Sequence, residues 1–311
     1  MATNSKEIRR RIKSTQSIAK ITKAMELVSA AKMRKAQSQA LASRPYSVLS
    51  AELLRNIAGK TGQANHPLLG RVIDGKIKSS KILAIVITSD KGLAGSLNSN
   101  VINKTVGVLR EEGDKFSAGG GPASGWDFMT VGRKGADAVK RLGGNIIATF
   151  PAKDKNVTSN DSKPIAEIAM TEFIKGVYEK VFIVYPQFIS TLVQKPNILQ
   201  LLPFSTEVDA KPQEPARLND FSRSGGEFLF EPSPDAVLEN LVTRAIEFSI
   251  YQTLAEAAAS EHSARMVAMR NANEAAGELI DDLSLSYNQA RQAGITRELS
   301  EISAAKLAME R

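Results

Sequence analysis

The stretch DAVLENLVTRAIEFSIYQTLAEAAASEHSARMVAMRNANEAAGELIDDLSLSYNQARQAGITRELSEISAAKLA, residues 235–308, runs without a proline. Proline costs about 3 kcal/mol inside a helix. So long a run without one reads as a single helix beginning at Asp235, just after Pro234. At about 1.5 Å per residue it would reach roughly 110 Å, far beyond an ordinary domain. Gly277 and Gly294 each weaken it by about 1 kcal/mol relative to alanine. Leu279, Leu283, Ser286, Ala290 and Ala293 step by four, three, four and three, a coiled-coil-like seam. Small residues such as Ala257, Ala258, Ala259 and Ser260 crowd its middle and let another helix approach closely. A helix of this length needs a partner.

The matching element is the N-terminal end. Residues 4–58 read as one long helix, with Asn4 or Ser5 as its cap and Pro45 expected to kink or interrupt it. Ile8, Ile12, Thr15, Ala19 and Thr22 form a narrow seam, with Ile18, Ile21, Met25 and Val28 as an adjoining stripe. Two such ends are most economically paired as a long antiparallel coiled coil.

The middle alternates differently. KILAIVIT, residues 81–88, is a continuous β-branched apolar run and reads as a buried strand. Helix follows at 96–112, strand at 127–131, helix at 134–142, strand at 145–150, helix at 163–178, and strands at 181–185 and 191–202. Strands alternating with helices imply a Rossmann-like α/β domain with a mostly parallel sheet. The expected divisions are a coiled-coil helix over 1–60, an α/β foot over 75–204, a flexible polar loop over 205–233, and a second coiled-coil helix over 234–311.

Composition removes whole classes of chemistry. With no cysteine among 311 residues, disulfides and thiolate-ligated metals are excluded. His66 and His262 are the only histidines, too few for a histidine-rich metal site. No apolar run approaches the roughly 20 residues of a membrane-spanning helix. The first strand-to-helix turn, SDKGLAGSLN at residues 89–98, sits where α/β folds bind phosphate. It matches neither GxGxxG nor a P-loop, and reads as a tight turn with Ser96 capping the next helix. His262 reads as a polar helix residue and Asp281 and Asp282 as a solvated face, and no catalytic constellation or cofactor site emerges.

The charge pattern is the functional signal. The chain carries a net charge of +8, and the basic excess of its first sixty residues, Arg9, Arg10, Arg11 and Lys13 among them, exceeds that of the whole chain. Such a face suits an acidic protein surface by electrostatic complementarity. It also suits nucleic acid, although Tyr46 is the only aromatic residue there to serve as a stacking platform.

Several segments carry a resemblance. ITKAMELVSAAKMRKAQ at 21–37 and IRRRIKS at 8–14 resemble the N-terminal helix of the gamma subunit of rotary F-type ATP synthases. SEHSARMVAMRNA at 260–272 and YNQARQAGITRELSEI at 287–302 are similar to that family's C-terminal helix. SDKGLAGSLN resembles its first turn of the middle domain, and FLFEPSPD at 228–235 its entry into the last helix. The matches fall in family order along nearly the whole chain.

The resemblance implies a noncatalytic central-stalk rotor without a cofactor, one copy per complex. It would turn inside a ring of alternating alpha and beta subunits, with its foot beside the epsilon subunit and on the c-ring. Its place would be peripheral, at the cytoplasmic face of the bacterial inner membrane. The resemblance also assigns residues. Lys23 and Met25 match positions facing the acidic loop of a beta subunit, with Arg9 and Arg10 on the same basic helix. Arg291 and Gln292 match a polar catch with a beta subunit, and Thr296 and Glu298 are its neighbours. Glu231, with Phe228 and Phe230 beside it, matches a foot residue near the c-ring loops and epsilon. Ala19 departs from the glutamine the family often carries there, so it lacks that amide. Two other readings stay open: a nucleotide-binding α/β enzyme with helical arms, using Gly92 and Gly95, and a nucleic-acid-binding coiled coil.

Overall fold

The computed structural model describes residues 5–61, 66–69, 81–116, 125–153, 157–204, 231 and 233–309. The element order is α1 (Ser5–Thr61), β1 (Lys81–Ile87), α2 (Leu97–Phe116), β2 (Trp126–Val131), α3 (Arg133–Arg141), β3 (Asn145–Phe150), α4 (Ser159–Ile174), β4 (Tyr178–Phe188), β5 (Gln194–Leu202) and α5 (Pro234–Met309). Two compact units result. One joins Met1–Ala30 with Arg265–Arg311, and the other comprises Ala31–Ala264.

In the second unit the strands form one sheet in the order β3-β2-β1-β4-β5. The first four are parallel, and β5 returns antiparallel to β4. β1 is central, and every residue after Lys81 in it is buried. A strand covered on both faces should be apolar, and its buried run ILAIVI, residues 82–87, is. Its alternate side chains serve different cores. Leu83, Ile85 and Ile87 join a cluster with Ile165 and Phe173 of α4 and Val242, Ile246 and Leu254 of α5. Ile82, Ala84 and Val86 join Val101 and Leu109 of α2 and Val139 of α3. Helices therefore cover both faces, with α5 acting as a sheet-covering helix over its first part. Each fully buried Ile or Val contributes about 1.5–3 kcal/mol.

A polar clamp closes the amino ends of four adjacent strands. Asp127 of β2 accepts from Asn145 of β3 at 2.7 Å, from the Tyr178 hydroxyl of β4 at 3.0 Å and from Lys81 of β1 at 3.4 Å. Burial first, and then the Asp127 charge, push the Tyr178 phenol far above its ordinary value, so it stays a donor.

Two expectations for helices are corrected. α1 is not interrupted at Pro45 and continues to Thr61. Proline removes one rung of the ladder there and leaves the rungs on either side intact. α4 begins at Ser159, not near 163, and ends at Ile174, with Tyr178 already in β4. Its start is fixed by Asp161, whose carboxylate accepts from the Thr158 backbone N–H at 2.9 Å and the Thr158 hydroxyl at 2.8 Å. Its end is fixed by Gly176, at φ 75°, a conformation that favours glycine.

The capping pair gives a first test. Burial pulls the Asp161 carboxyl upward, but the Thr158 bonds and the Lys153 ammonium at 3.0 Å outweigh it and leave the acid below its ordinary 3.8. A lowered folded pKa means the stabilisation is complete above the unfolded pKa and is lost as pH falls through the folded one. Asp161→Asn should therefore lower the urea midpoint of the full chain at pH 7, by about 1 kcal/mol equivalent. The gap from the parent should close below about pH 4. A gap that stays constant down to pH 2.5 would remove the ionic part of the cap.

In the first unit the start of α1 groups with the end of α5. In the second, the Gln252 amide donates to the Ala40 carbonyl at 3.5 Å. Low numbers thus meet high ones, and the pairing is antiparallel. The α1 seam is the expected one: Ile8 and Thr22 are buried, and Ile12, Thr15 and Ala19 are half-buried. The α5 seam is partly corrected. Met269, Ala276, Ile280, Leu283, Tyr287 and Ala290 turn inward, whereas Leu279, Ser286 and Ala293 are exposed.

Candidate functional site

Within the first unit the surface of α1 is built by what the seam leaves over. A helix that buries positions 8, 12, 15, 19 and 22 presents the others to water. Those others include Arg9, Arg10, Lys13, Lys20 and Lys23, all exposed. Arg11 is tied to Glu7 at 2.8 Å and Lys23 to Glu26 at 3.0 Å, one turn away in each case. Such exposed pairs contribute little to stability. Among the described residues Arg9 and Arg10 have no carboxylate partner. The basic face is therefore not consumed by the chain's own acids.

Apolar residues interleave with those bases. Ile18, Ile21, Leu27 and Val28 are 51%, 59%, 61% and 55% exposed. The stripe read as adjoining the seam thus lies outside it, and only Met25 is half-buried. A surface combining uncovered aliphatic side chains with unpaired cations favours a partner that is both apolar and acidic.

The last part of α5 has a second such surface. Every residue from 291 to 306 is exposed. Arg291, Gln292, Thr296 and Glu298 all project from this segment, and their side chains have no hydrogen bond within the described chain. The Thr296 carbonyl accepts from Ser300, an ordinary turn-to-turn bond. Ile295, Leu299 and Ile302 recur at steps of four and three, and are 50%, 59% and 66% exposed. A helical stripe with that spacing is a packing face, and nothing in the described chain covers it. Asp281 and Asp282 are exposed, as their adjacency on a helix suggested.

Of the residues the resemblance assigns to the foot, Glu231 is exposed in a bend just before α5. Phe228 and Phe230, and the loop read over 205–233 apart from 231 and 233, lie outside the described residues.

The turn after β1 lies in the second unit and is cross-braced. The Ser89 N–H donates to the Asn98 side-chain carbonyl at 3.1 Å, and the Ser89 hydroxyl to the Lys91 carbonyl at 2.6 Å. The Asp90 carboxylate accepts from the Arg133 N–H at the start of α3, at 2.8 Å. A phosphate in this turn would need those donors and would meet that carboxylate. Ser96 precedes α2, and its hydroxyl accepts from the Asn100 amide at 3.2 Å. The donors of Ser89 are thus committed within the turn, and Asp90 sets a carboxylate beside it. His262 is buried within α5, at 3% exposure. Among the described residues no helix is long and apolar enough to cross a membrane, and no His, Asp and Glu group converges as a metal site.

Sequence reasoning missed one role of α5. Leu238, Val242, Ile246, Ile250 and Leu254 are buried against the sheet. Their unbroken i, i+4 spacing is the strongest apolar stripe on the helix and was available as a signal.

Comparison with known proteins gives a consistent result. The family described as ATP synthase matches residues 4–309. The chain is 43% identical to the ATP synthase gamma chain of Pelotomaculum thermopropionicum over 98% of its own length and 99% of the relative's. It is 40% identical to that of Opitutus terrae, covering 98% of each. Among solved structures it resembles a chain of the Euglena gracilis mitochondrial ATP synthase (OSCP, F1 and c-ring), with a TM-score of 0.64 and 20% identity over 98% of this chain and 94% of that one. A chain of the Tetrahymena thermophila central stalk and c-ring gives a TM-score of 0.57 at 24% identity, covering 81% and 99%. At those identities the structural likeness speaks for the fold.

Proposed function

This chain belongs to the ATP synthase gamma-chain family, and on that premise we propose how it performs the work of a noncatalytic central-stalk subunit. Its paired terminal helices form the part of the rotor that acts on the beta subunits of F1. The α/β unit forms the foot, which meets epsilon and the c-ring through the segment that includes Glu231. Ion flow through the ring turns foot and shaft together. The shaft's surface then favours a different beta-subunit conformation at each angle. A rotating element drives a neighbour only through such differential interaction, since equal contact with all states shifts nothing.

The observation that carries this reading is the uncovered surface of the first unit. The α5 stripe at Ile295, Leu299 and Ile302 and the α1 stripe at Ile18, Ile21 and Val28 are exposed in the chain alone. The neighbouring cations Arg9, Arg10 and Lys20 are exposed with them. Mixed surfaces of this kind hold a partner without a single deep anchor. That suits a contact which must form and break at every step. Lys23 and Met25 on α1, and Arg291, Gln292, Thr296 and Glu298 on α5, are the residues assigned to the beta-subunit contact.

Co-expression with the alpha and beta subunits tests the proposal. The chain should elute with both in a single complex, and ATP hydrolysis by that complex should turn a probe fixed to the foot. Replacing Arg9 and Arg10 together with Glu should weaken assembly at low salt by about tenfold, with the difference shrinking as salt rises. Recovery of the chain as a separate species, with duplex DNA binding that falls steeply with salt, would instead assign the basic face to nucleic acid.

A further inference from the structure

A cavity of about 200 Å³ lies in the second unit at the carboxyl ends of β1, β2 and β3, bounded also by α4 and α5. Its origin is visible in α5. Leu238, Val242, Ile246, Ile250 and Leu254 recur every four residues and pack into the core beneath the sheet. The next step of that series is Ala258, which lines the cavity. Residues four apart share a helix face, so position 258 continues the stripe with a side chain that stops at Cβ. The larger side chains end where the cavity begins. Ile87, Val131, Ile165 and Leu254, all buried, make the rest of its lining aliphatic.

The polar groups along the lining are spent on one another. The Thr88 hydroxyl donates to the Val131 carbonyl at 3.1 Å and accepts from the Gly135 N–H at 2.7 Å. The Ser89 hydroxyl donates to the Lys91 carbonyl at 2.6 Å and accepts from the Asn98 amide at 2.8 Å. Lys153 and Asp161 are ion-paired at 3.0 Å, and Asp161 also accepts from Thr158. Glu261 already interacts within the chain. An anion would find the one lysine taken and two carboxylates beside it. A charged guest would shed its water and meet ions that are already engaged.

What is left to select a guest is size and apolar contact. An aliphatic cavity of roughly 150 Å³ holds benzene, so this one holds a body of about six to eight heavy atoms. Its place also suits a ligand. β1 has β2 on one side and β4 on the other, so the strand order reverses there, and open α/β sheets take ligands beyond the strand ends at such a reversal. We propose that this cavity binds a small neutral hydrocarbon-like molecule, an aromatic ring or short alkyl body, packed among Ile87, Val131, Ile165 and Leu254 in the room that Ala258 leaves. The site includes none of the residues assigned to the beta-subunit contact. A guest there touches the sheet, α4 and α5 together, and binding to the folded state alone stabilises it.

Benzene is the probe, titrated into the full chain carrying labelled methyl groups and followed by NMR, with hexanoate and hexylamine as charged comparisons. Ring-current shifts should saturate at the methyl groups of Ile87, Val131, Ile165 and Leu254. They should stay small at Ile18 and Ile295, which are exposed and report loose association. Benzene should bind at least about tenfold more tightly than either charged compound, because each of those must lose its hydration. Ala258→Leu continues the stripe into the cavity and should weaken benzene at least about tenfold. Lys153→Gln should leave its affinity within about twofold, since a neutral guest makes no use of the ammonium. Shifts that do not saturate, or that are as large at Ile18 and Ile295, overturn the proposal. So do binding of hexanoate or hexylamine as tight as that of benzene, benzene binding that Ala258→Leu leaves unchanged, and a tenfold loss in Lys153→Gln. Should Ala258→Leu fail to fold, the location of the shifts and the charged comparisons decide alone.

Discussion

Replacing Arg291 with Glu and Gln292 with Ala together should uncouple the motor while leaving the chain folded. Both residues lie in the segment of α5 where every side chain is exposed, and neither is bonded within the described chain. Substitutions at such positions rarely move stability, so the melting temperature of the isolated chain should shift by less than about 2 °C. In the complex the same two side chains are proposed to meet a beta subunit. There a lost charge-assisted hydrogen bond contributes about 1.5–3 kcal/mol. At 1.4 kcal/mol per factor of ten, ATP synthesis driven by an imposed ion gradient should fall by about 10- to 100-fold. ATP hydrolysis should fall less, because the beta subunits keep their own catalytic residues. Helicity by circular dichroism, synthesis rate and single-molecule rotation separate the outcomes. Loss of helicity, or synthesis within a factor of two of the parent, defeats the assignment. Gln292→Ala alone should have a smaller effect than the pair, since it removes an amide without introducing repulsion.

Which parts of this molecule were legible in sequence follows from what each signal encodes. The run KILAIVIT declares its strand because its core, ILAIVI, is apolar at every position, as a central strand covered on both faces requires. The α1 seam is legible over Ile8, Ile12 and Thr15, whose neighbours are polar or charged; beyond them Ile18 and Ile21 adjoin Ala19 and Thr22, and two registers are open. The α5 seam is not, because Leu279 and Ile280 are adjacent and both greasy. Periodicity alone cannot choose between them, and the opposing helix selects Ile280, Leu283 and Tyr287. Pro164 concealed the start of α4: it reads as a first-turn proline, yet Asp161 has already set the cap at Thr158. The exposed surface of the first unit shows the same division. Its charge could be counted, but whether Ile18 and Ile21 faced the seam or water depended on the side from which α5 approaches.

Gly132→Ala should be the most damaging small substitution in the α/β unit. Gly132 joins β2 to α3 with φ at 90°, and an added Cβ would lie 2.2 Å from the Thr88 carbonyl oxygen and 2.7 Å from its carbon. Those are backbone atoms and cannot swing aside. The Thr88 N–H is bonded to the Val131 carbonyl at 2.8 Å, and the Gly132 N–H to the Phe150 carbonyl at 2.9 Å. Relief would therefore open the β1–β2 and β2–β3 junctions at the cavity-lining edge of the sheet. Backbone strain of about 1–3 kcal/mol adds to an overpacking cost of similar size. The expected loss is on the order of 3–5 kcal/mol, a large share of the roughly 5–15 kcal/mol that holds a domain together. Gly143→Ala is the control. Its φ is 73°, but its added Cβ would meet nothing within 4 Å, so it should cost only the strain, about 1 kcal/mol. Urea denaturation of the full chain, followed through Trp126 fluorescence, compares the two directly, since that indole lies in β2. Equal midpoints for the two variants would mean that the close approach of Thr88 does not constrain this junction. A Gly132 variant that melts far below the Gly143 variant, yet keeps the helicity of α1 and α5, would locate the damage in the sheet.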